Sequence, residues 1–219
     1  MTTTLEKNAA EDTAKTNRMD RRRLATRAKL LDATTALIEK KGVDKTTMDD
    51  ITDAADLGRR TLYYHFGSKE ECIIAAATRQ YRDIAARADE SAHRHEDTAL
   101  AMAVASQLVV KALLDAPITS RLTEHPRLLG QAIRQSINEH VALDIKLGIE
   151  QGRIKPVCGD ALLFTSAMWL LVGLIIETVE NELNLNDALT DFSKLLLVTM
   201  GIPAAEADVV ALKAASLLK

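Results

Sequence analysis

The sequence predicts an all-α protein, and three observations support that fold class. Four prolines and nine glycines in 219 residues leave few turn signals for many short strands. Apolar positions recur at helical spacing through most of the chain, and no segment alternates with the period of two that is typical of a strand. Aromatic residues make up only 3% of the chain, so aliphatic side chains must fill the core. The periodicity predicts about nine to ten helices.

The composition describes a globular chain whose charge is unevenly distributed. Apolar residues make up 47% and charged residues 27% of the sequence, which excludes collagen-like and disordered classes. The net charge is −3, but residues 13–69 carry +5 whereas residues 70–219 carry −6. Because nucleic-acid binding depends on local charge, the basic N-terminal segment is the part suited to DNA.

Cysteine usage and hydropathy favour a cytoplasmic protein without a membrane partner. Cys72 and Cys158 lie far apart and form no CxxC motif, so neither a disulfide framework nor a zinc site is expected. The N-terminus has no apolar run of the kind found in secretory signals. The most apolar stretch, residues 161–176, is shorter than the roughly 20 residues of a membrane span. We expect it to be a buried helix.

The first predicted helix runs from about residue 21 to Lys41. Leu30, Leu37 and Ile38 recur at helical spacing, and a basic last turn followed by Gly42 is typical of a helix end. Residues 1–18 are expected to form a flexible, basic-leaning arm. Two interpretations of the basic cluster stay open, a solubilising segment or one that follows DNA phosphates or enters a minor groove. The cluster comprises Lys15, Arg18, Arg21, Arg22, Arg23, Arg27 and Lys29.

Two short helices follow. Thr47 and Asp50 have the spacing of a capping box, and Met48, Ile51 and Ala55 give the second helix one apolar face. Residues 56–58 interrupt this pattern, and residues 59–66 resume it with Leu62 and Phe66 on the buried side. Two short helices joined by a three-residue turn predict a helix-turn-helix.

The rest of the chain is predicted to be helical as well. A connecting helix begins near residue 69 and extends to about residue 90. Further helices are expected at residues 98–115, 126–151, 160–182, 187–200 and 204–218, with a short turn at 118–122 after Pro117. We therefore expect an N-terminal arm (1–18), a helix-turn-helix DNA-binding domain (19–68) and a larger helical domain (69–219).

The run from Ile51 to Cys72, ITDAADLGRRTLYYHFGSKEEC, resembles the signature of the TetR family of bacterial transcriptional regulators. Together with the first helix, the resemblance covers about 50 residues. It implies an N-terminal helix-turn-helix domain, followed by a helical domain that binds an effector and forms a dimer on a palindromic DNA operator. Such proteins are one-component regulators, and we expect a repressor that a small lipophilic effector releases from DNA.

The start of the third helix carries the residues suited to reading bases. N-terminal residues of a recognition helix reach base edges in the major groove, so Arg59 and Arg60 can pair with guanine and the Thr61 methyl can meet thymine. The resemblance adds Tyr63, Tyr64, His65 and Lys69, mainly as phosphate or sugar contacts, and Thr47 as a cap whose neighbouring amides face a phosphate. Arg21, Arg22 and Arg23 complete the predicted DNA-binding set.

Four positions depart from the family pattern. Asp56 replaces the usual turn glycine, which is tolerable because Asp accepts left-handed backbone geometry better than most residues. Arg60 stands where a small residue is common. Asp49 and Asp50 place acidic groups near the DNA-facing side of the second helix.

An effector pocket is expected between the connecting helix and the helices at 98–115, 126–151 and 160–182. Candidate orienting groups are Ser106, Gln107, His125, Arg134 and His140. The candidate lining residues are Met102, Gln107, Leu128, Ile133, Phe164, Met168 and Trp169.

The helix at 160–182 is apolar on nearly every side, so it requires cover on two faces, and one of these is expected to be a second copy of the chain. The candidate dimer residues are Val172, Ile176, Val179, Phe192, Leu196 and Thr199. An alternative stays open, in which the C-terminal domain serves dimerisation or protein interaction without a small ligand. The DNA-binding dimer would then be an activator or a repressor.

No catalytic activity, cofactor or metal site is expected. The sequence shows no phosphate-binding glycine loop and no nucleophile motif. His93 and His95 are two residues apart, a spacing that does not share one helix face, and we expect them in a solvated loop.

Overall fold

The computed structural model describes the backbone of residues 2–181 and 183–218, and the side chains of residues 19–137, 141–159, 161–181 and 183–218. The side chains of Lys15, Arg18 and His140 lie outside the described residues. Within the described part the chain is helical and contains no strand, which confirms the predicted fold class. The helices are α1 (Thr2–Lys41), α2 (Met48–Ala55), α3 (Arg59–His65), α4 (Lys69–Ala92), α5 (Thr98–Asp115), α6 (Pro117–Leu122), α7 (Pro126–Glu150), α8 (Asp160–Asn181), α9 (Leu185–Thr199) and α10 (Ala204–Leu217).

Two predicted boundaries differ from the observed ones. The first helix begins at Thr2, so it includes the segment expected as an arm. Residues 2–20 contain neither proline nor glycine, the two residues that most disfavour a helix, so no strong helix breaker interrupts this segment. The predicted turn at 118–122 is part of α6, because Pro117 occupies the first turn of that helix, where its fixed backbone angle is favourable.

The chain divides into two compact units, residues 1–76 and 77–219. The interior of the first unit is formed by side chains from α1, α2, α3 and the start of α4. Its buried members include Leu30, Leu31, Ile51, Leu62, Phe66, Cys72 and Ala76. The Thr34 hydroxyl lies 3.0 Å from the Cys72 sulfur and 2.7 Å from the Leu30 carbonyl oxygen, to which it donates.

The second unit is organised around α5, which contacts α6, α7, α8, α9 and α10. Its buried polar groups have partners. The Gln107 amide donates to the Ala211 carbonyl oxygen of α10 at 3.1 Å, and the Ser106 and Ser193 hydroxyls of α5 and α9 lie 3.1 Å apart. Satisfying these groups offsets the cost of removing them from water, which would otherwise destabilise an aliphatic core.

Residues 152–159, between α7 and α8, are tied to two other parts of the second unit. Arg153 pairs with Asp97 at 2.8 Å and with Glu206 at 2.6 Å. The Lys155 amide donates to the Met200 carbonyl oxygen at 3.0 Å. These contacts fix the loop against the start of α5 and the segment that joins α9 to α10.

Two described helices are long and apolar enough to cross a membrane by length and composition alone, α5 and residues 161–181 of α8. Half of the α5 segment is buried, and its packing against five other helices accounts for its apolar character. Only 28% of the α8 segment is buried, so α8 keeps an apolar face uncovered in a single chain.

Gly201 provides a test of this packing. Its φ of +84° is in the left-handed region, and a Cβ built there would lie 1.9 Å from the Lys155 carbonyl oxygen. We expect Gly201→Ala to lower the free energy of unfolding by about 2 kcal/mol or more, because both the backbone and the neighbouring loop must shift. Urea denaturation monitored by circular dichroism measures this change.

Gly173→Ala is the matched control, because a Cβ at Gly173 in α8 meets no atom within 4 Å. Helix propensity predicts an unchanged or slightly higher stability for this variant. Equal stabilities of the two variants would contradict the steric account of Gly201.

Candidate functional site

The second helix of the helix-turn-helix, α3, presents most of its side chains to solvent. Leu62 is fully buried, whereas Arg59 and Arg60 are exposed and Tyr63 and Tyr64 keep 58% and 72% of their surface. Exposed aromatic side chains of this size are available to pack against a partner. Of the α3 residues predicted to bind DNA, Thr61 and His65 are therefore partly exposed, and the others are exposed on the surface of the unit.

The turn that joins α2 to α3 depends on Asp56. This residue caps the end of α2 with φ 52° and ψ 52°, the left-handed conformation that glycine adopts in the family pattern. In the described part of the chain no other non-glycine residue has a positive φ. The aspartate therefore reproduces the turn geometry, as the sequence predicted.

A charged network fixes the start of α2. The Thr47 hydroxyl accepts from the Asp50 amide, and the Asp50 carboxylate accepts from the Thr47 amide at 2.7 Å, which completes the predicted capping box. Lys41 lies 2.7 Å from the same carboxylate. Hydrogen bonds from Lys41 and Thr47 hold the pKa of Asp50 well below its usual range. The Thr47 side chain is thus occupied by the cap, and the α2 backbone amides are the groups left for a phosphate.

The two arginines at the start of α3 have different environments. Arg59 forms an ion pair with Asp49 of α2. Among the described residues none forms an ion pair with Arg60. The sequence placed Asp49 near the DNA-facing side but gave no sign of this pairing, because the two residues belong to different helices.

The end of α3 meets α1 in a basic patch. The Arg27 guanidinium lies over the Phe66 ring, 4.9 Å from its centre. Burial, followed by the positive charges of Arg27 and Arg23, lowers the pKa of His65. Arg21 and Arg22 are exposed on α1 as well. Arg27, which the sequence grouped only with the basic cluster, therefore supports the recognition helix directly.

Lys69 has a structural contact in addition to its predicted role. Its ammonium group donates to the Val43 carbonyl oxygen at 3.2 Å, which joins the start of α4 to the loop after α1. An ammonium has three N–H donors, so this contact leaves donors for a phosphate. The predicted phosphate contact stays a prediction.

The second unit contains a largely apolar cavity of about 100 Å³. Residues from α4, α5, α7, α8 and α9 line it, and three of the predicted pocket residues, Met102, Phe164 and Met168, are among them. The other lining residues are Ala85, Ala88, Asp89, Ala105, Ser106, Val109, Ile137, Val141, Asp144, Ala167, Leu171, Phe192, Leu196 and Met200.

The polar side chains at the cavity wall are Ser106, Asp89 and Asp144. Asp89, Asp144 and His93 place one polar atom each within 4.8 Å of one another. The His93 ring nitrogen Nδ1 lies 2.8 Å from the Asp89 carbonyl oxygen, and this hydrogen bond raises the pKa of His93. Sequence reasoning compared His93 with His95, whereas the relevant neighbour is Asp89, which lies four residues earlier in the last turn of α4.

Four predicted pocket residues lie outside this cavity. Gln107 is buried but directs its amide to α10, and Ile133 is fully buried in the core. Leu128 and Trp169 line a separate surface hollow with residues 125–127, which include the predicted orienting group His125. Arg134 contributes only indirectly, through its guanidinium 5.4 Å from the centre of the Phe164 ring.

The candidate dimer residues divide into two groups. Val172, Phe192 and Leu196 are buried within a single chain, so they cannot present a surface to a second copy. Ile176 and Thr199 are partly exposed, and Val179 is exposed. The uncovered apolar side chains nearby are Leu162 and Trp169 on α8 and Leu195 and Val198 on α9.

Comparisons with known proteins agree with this arrangement. A family model described as "Bacterial regulatory proteins, tetR family" matches residues 30–76. The HTH-type transcriptional repressor KstR of Mycobacterium tuberculosis is 38% identical over 66 residues, 30% of each chain. The uncharacterised HTH-type transcriptional regulator YhgD of Bacillus subtilis is 27% identical over 73% of this chain and 84% of its own length.

A solved structure extends the likeness of fold to most of the chain. RolR in complex with resorcinol superposes with a TM-score of 0.75 at 23% identity, covering 88% of this chain and 95% of RolR. The predicted order of an N-terminal helix-turn-helix followed by a helical domain is therefore found in known proteins.

The environment of His65 gives a pH prediction. Since Arg27 and Arg23 disfavour the protonated ring, replacing either by glutamine should raise the His65 pKa toward its ordinary value. Proton NMR titration of the histidine ring signals in Arg23→Gln and Arg27→Gln measures this shift. His93, whose pKa is raised by Asp89, is the internal control and should titrate unchanged. An unchanged His65 titration in both variants would contradict the basic patch.

Proposed function

We propose that this chain is a transcriptional repressor of the TetR family, whose family model matches residues 30–76. It binds a palindromic operator as a homodimer and is released by a small lipophilic effector. The observation that carries the proposal is the pairing of an exposed, donor-rich recognition helix with a separate, mainly apolar cavity in the same chain.

DNA binding is supported by the chemistry of the exposed face of α3. Arg60 forms no ion pair with any described residue and can form two hydrogen bonds with guanine, worth about 1–3 kcal/mol of discrimination. Tyr63 and Tyr64 carry hydroxyls that suit phosphate contacts. The basic side chains of α1 and Lys69 add the positive charge that supplies sequence-independent affinity.

Dimerisation is supported by the uncovered apolar side chains of α8 and α9. Leu162 and Leu195 expose 61% and 52% of their surface, and Trp169 exposes 45%. A second copy would bury these side chains, and a twofold dimer matches a palindromic operator. We therefore assign the interface to Leu162, Trp169, Val179, Leu195 and Val198 rather than to Val172, Phe192 and Leu196.

The cavity supports a compact effector. Its volume of about 100 Å³ is of the same order as the roughly 150 Å³ of a cavity that holds benzene, so a single ring needs only a small expansion of the cavity, whereas a long acyl chain needs a large rearrangement. Aliphatic and aromatic walls favour a lipophilic ring, and Ser106, Asp89 and Asp144 can accept hydrogen bonds from ring hydroxyls. The ligand in the RolR structure, resorcinol, is a ring of this kind.

The connecting helix α4 offers a route from effector to DNA. Ala85, Ala88 and Asp89 of α4 line the cavity, and Lys69 begins the same helix. An effector that binds better to a conformation with a displaced α4 would shift the population toward a DNA-incompetent state. A ligand with equal affinity for both conformations would not act as an inducer.

Operator binding tests the DNA-binding role. Arg60→Ala should lower operator affinity and relax base preference at one position, whereas Lys69→Ala should weaken binding to all sequences alike. Binding-site selection with random duplexes, followed by affinity measurements at fixed salt, distinguishes the two effects. An unchanged preference in Arg60→Ala would contradict its base-reading role.

Resorcinol and stearic acid test the cavity. We expect resorcinol to raise the melting temperature and weaken operator binding, because it stabilises the conformation it prefers, and stearic acid to do neither. Ala105→Leu, which fills the cavity wall, should abolish the resorcinol effect, whereas Ala112→Leu, on α5 but outside the lining, should retain it. If resorcinol and related single-ring phenols changed neither quantity, the alternative of a C-terminal domain that only dimerises would be favoured.

A further inference from the structure

The two acidic residues in the first turn of α2 contact different parts of the helix-turn-helix. Asp50 is engaged by the capping box and by Lys41, as described above. Asp49 instead pairs across the turn with Arg59, at the start of the recognition helix. The carboxylate that completes the capping box is thus that of Asp50, and the carboxylate of Asp49 joins the two helices that face DNA in the proposed function.

The ion pair occupies only part of the Arg59 guanidinium. Nη2 of Arg59 donates one hydrogen bond to the Asp49 carboxylate. A guanidinium has five N–H donors in a rigid plane, so four remain, enough for a two-bond contact with guanine O6 and N7. Both side chains stay largely accessible, with 68% exposure for Arg59 and 49% for Asp49.

The charge of Asp49 also affects whether Arg59 binds a DNA phosphate or a base edge. A carboxylate beside the guanidinium partly cancels its charge and repels nearby phosphates, which weakens a phosphate contact. A base edge is neutral and is recognised by the direction of its acceptors, so a fixed guanidinium is better prepared for it than a mobile one. Arg60 has no such partner among the described residues, so it can donate to either a phosphate or a base edge.

We propose that Asp49 is a positioning residue that sets operator specificity by holding Arg59 toward a base edge and away from the phosphates. The inference rests on the proposed DNA-binding function and concerns the same surface. An exposed ion pair contributes less than a bidentate guanine contact, so Asp49 orients Arg59 without competing successfully with the base.

The test compares the full-length wild type with Asp49→Asn in binding-site selection on random duplex DNA. At the position read by Arg59, we expect discrimination to fall by about two- to fivefold, the effect of an exposed ion pair. Arg59→Ala identifies that position. Affinity for non-specific DNA should rise in Asp49→Asn, and the slope of log affinity against log salt should steepen by about one, because a freed Arg59 gains a phosphate.

Asp53→Asn is the matched control. Asp53 lies one turn further along α2 on an exposed position, and no described residue pairs with its carboxylate. This variant loses the same charge from the same helix, and we expect the base preference of the wild type. Asp49→Glu keeps the charge and should restore most of the discrimination, while Arg59→Lys keeps the charge pair but lacks the planar fork and should lose it.

The outcomes separate the inference from the function on which it rests. A wild-type chain that enriches no sequence would overturn the proposed DNA-binding function. A wild type that enriches a defined sequence, together with an Asp49→Asn variant that enriches the same sequence to the same extent, would overturn the role of Asp49 alone. Equal changes in Asp49→Asn and Asp53→Asn would also overturn it, since they would reflect helix charge in general.

Discussion

The N-terminal unit depends on the burial of Leu62 and Phe66. A helix of seven residues is too short to be stable by itself, because the cost of forming its first turn is not repaid by so few hydrogen bonds. Burial of these two side chains against Leu30, Leu31 and Ile51 supplies the missing stabilisation. The direction of the exposed α3 side chains is therefore a consequence of the core, and the Asp56 turn allows α3 to reach it.

The second unit differs from the first because its central helix, α5, packs against other helices on several sides. Ser106 and Gln107, adjacent on α5, hydrogen-bond to α9 and α10 respectively. Because hydrogen bonds are directional, these contacts set the rotation of α5 about its axis. Packing of aliphatic side chains alone would define that rotation less well. With α5 fixed in this way, the small side chain of Ala105 faces the space that becomes the cavity.

The sequence predicted those features that depend on neighbours a few residues away. Helix limits, the capping box of Thr47 and Asp50, the turn at Asp56 and the inward faces of Leu62 and Phe66 all follow from local spacing. Contacts between distant segments were missed, such as Arg59 with Asp49 and the approach of Asp144 to Asp89. In α8, where apolar residues occupy nearly every side, the pattern could not decide that Val172 faces inward while Trp169 faces outward. Trp169 was for this reason assigned to the pocket, and Val172 to the dimer.

The separation between buried and exposed side chains in α3 has an evolutionary consequence. Arg59, Arg60, Tyr63 and Tyr64 add little to the core, so substitutions at these positions carry only a small cost in stability. Leu62 and Phe66, by contrast, tolerate little change without unfolding the unit. A lineage built on this scaffold can thus acquire a new DNA preference by successive single substitutions while its fold is preserved, and paralogues can diverge in their target genes without passing through unstable intermediates.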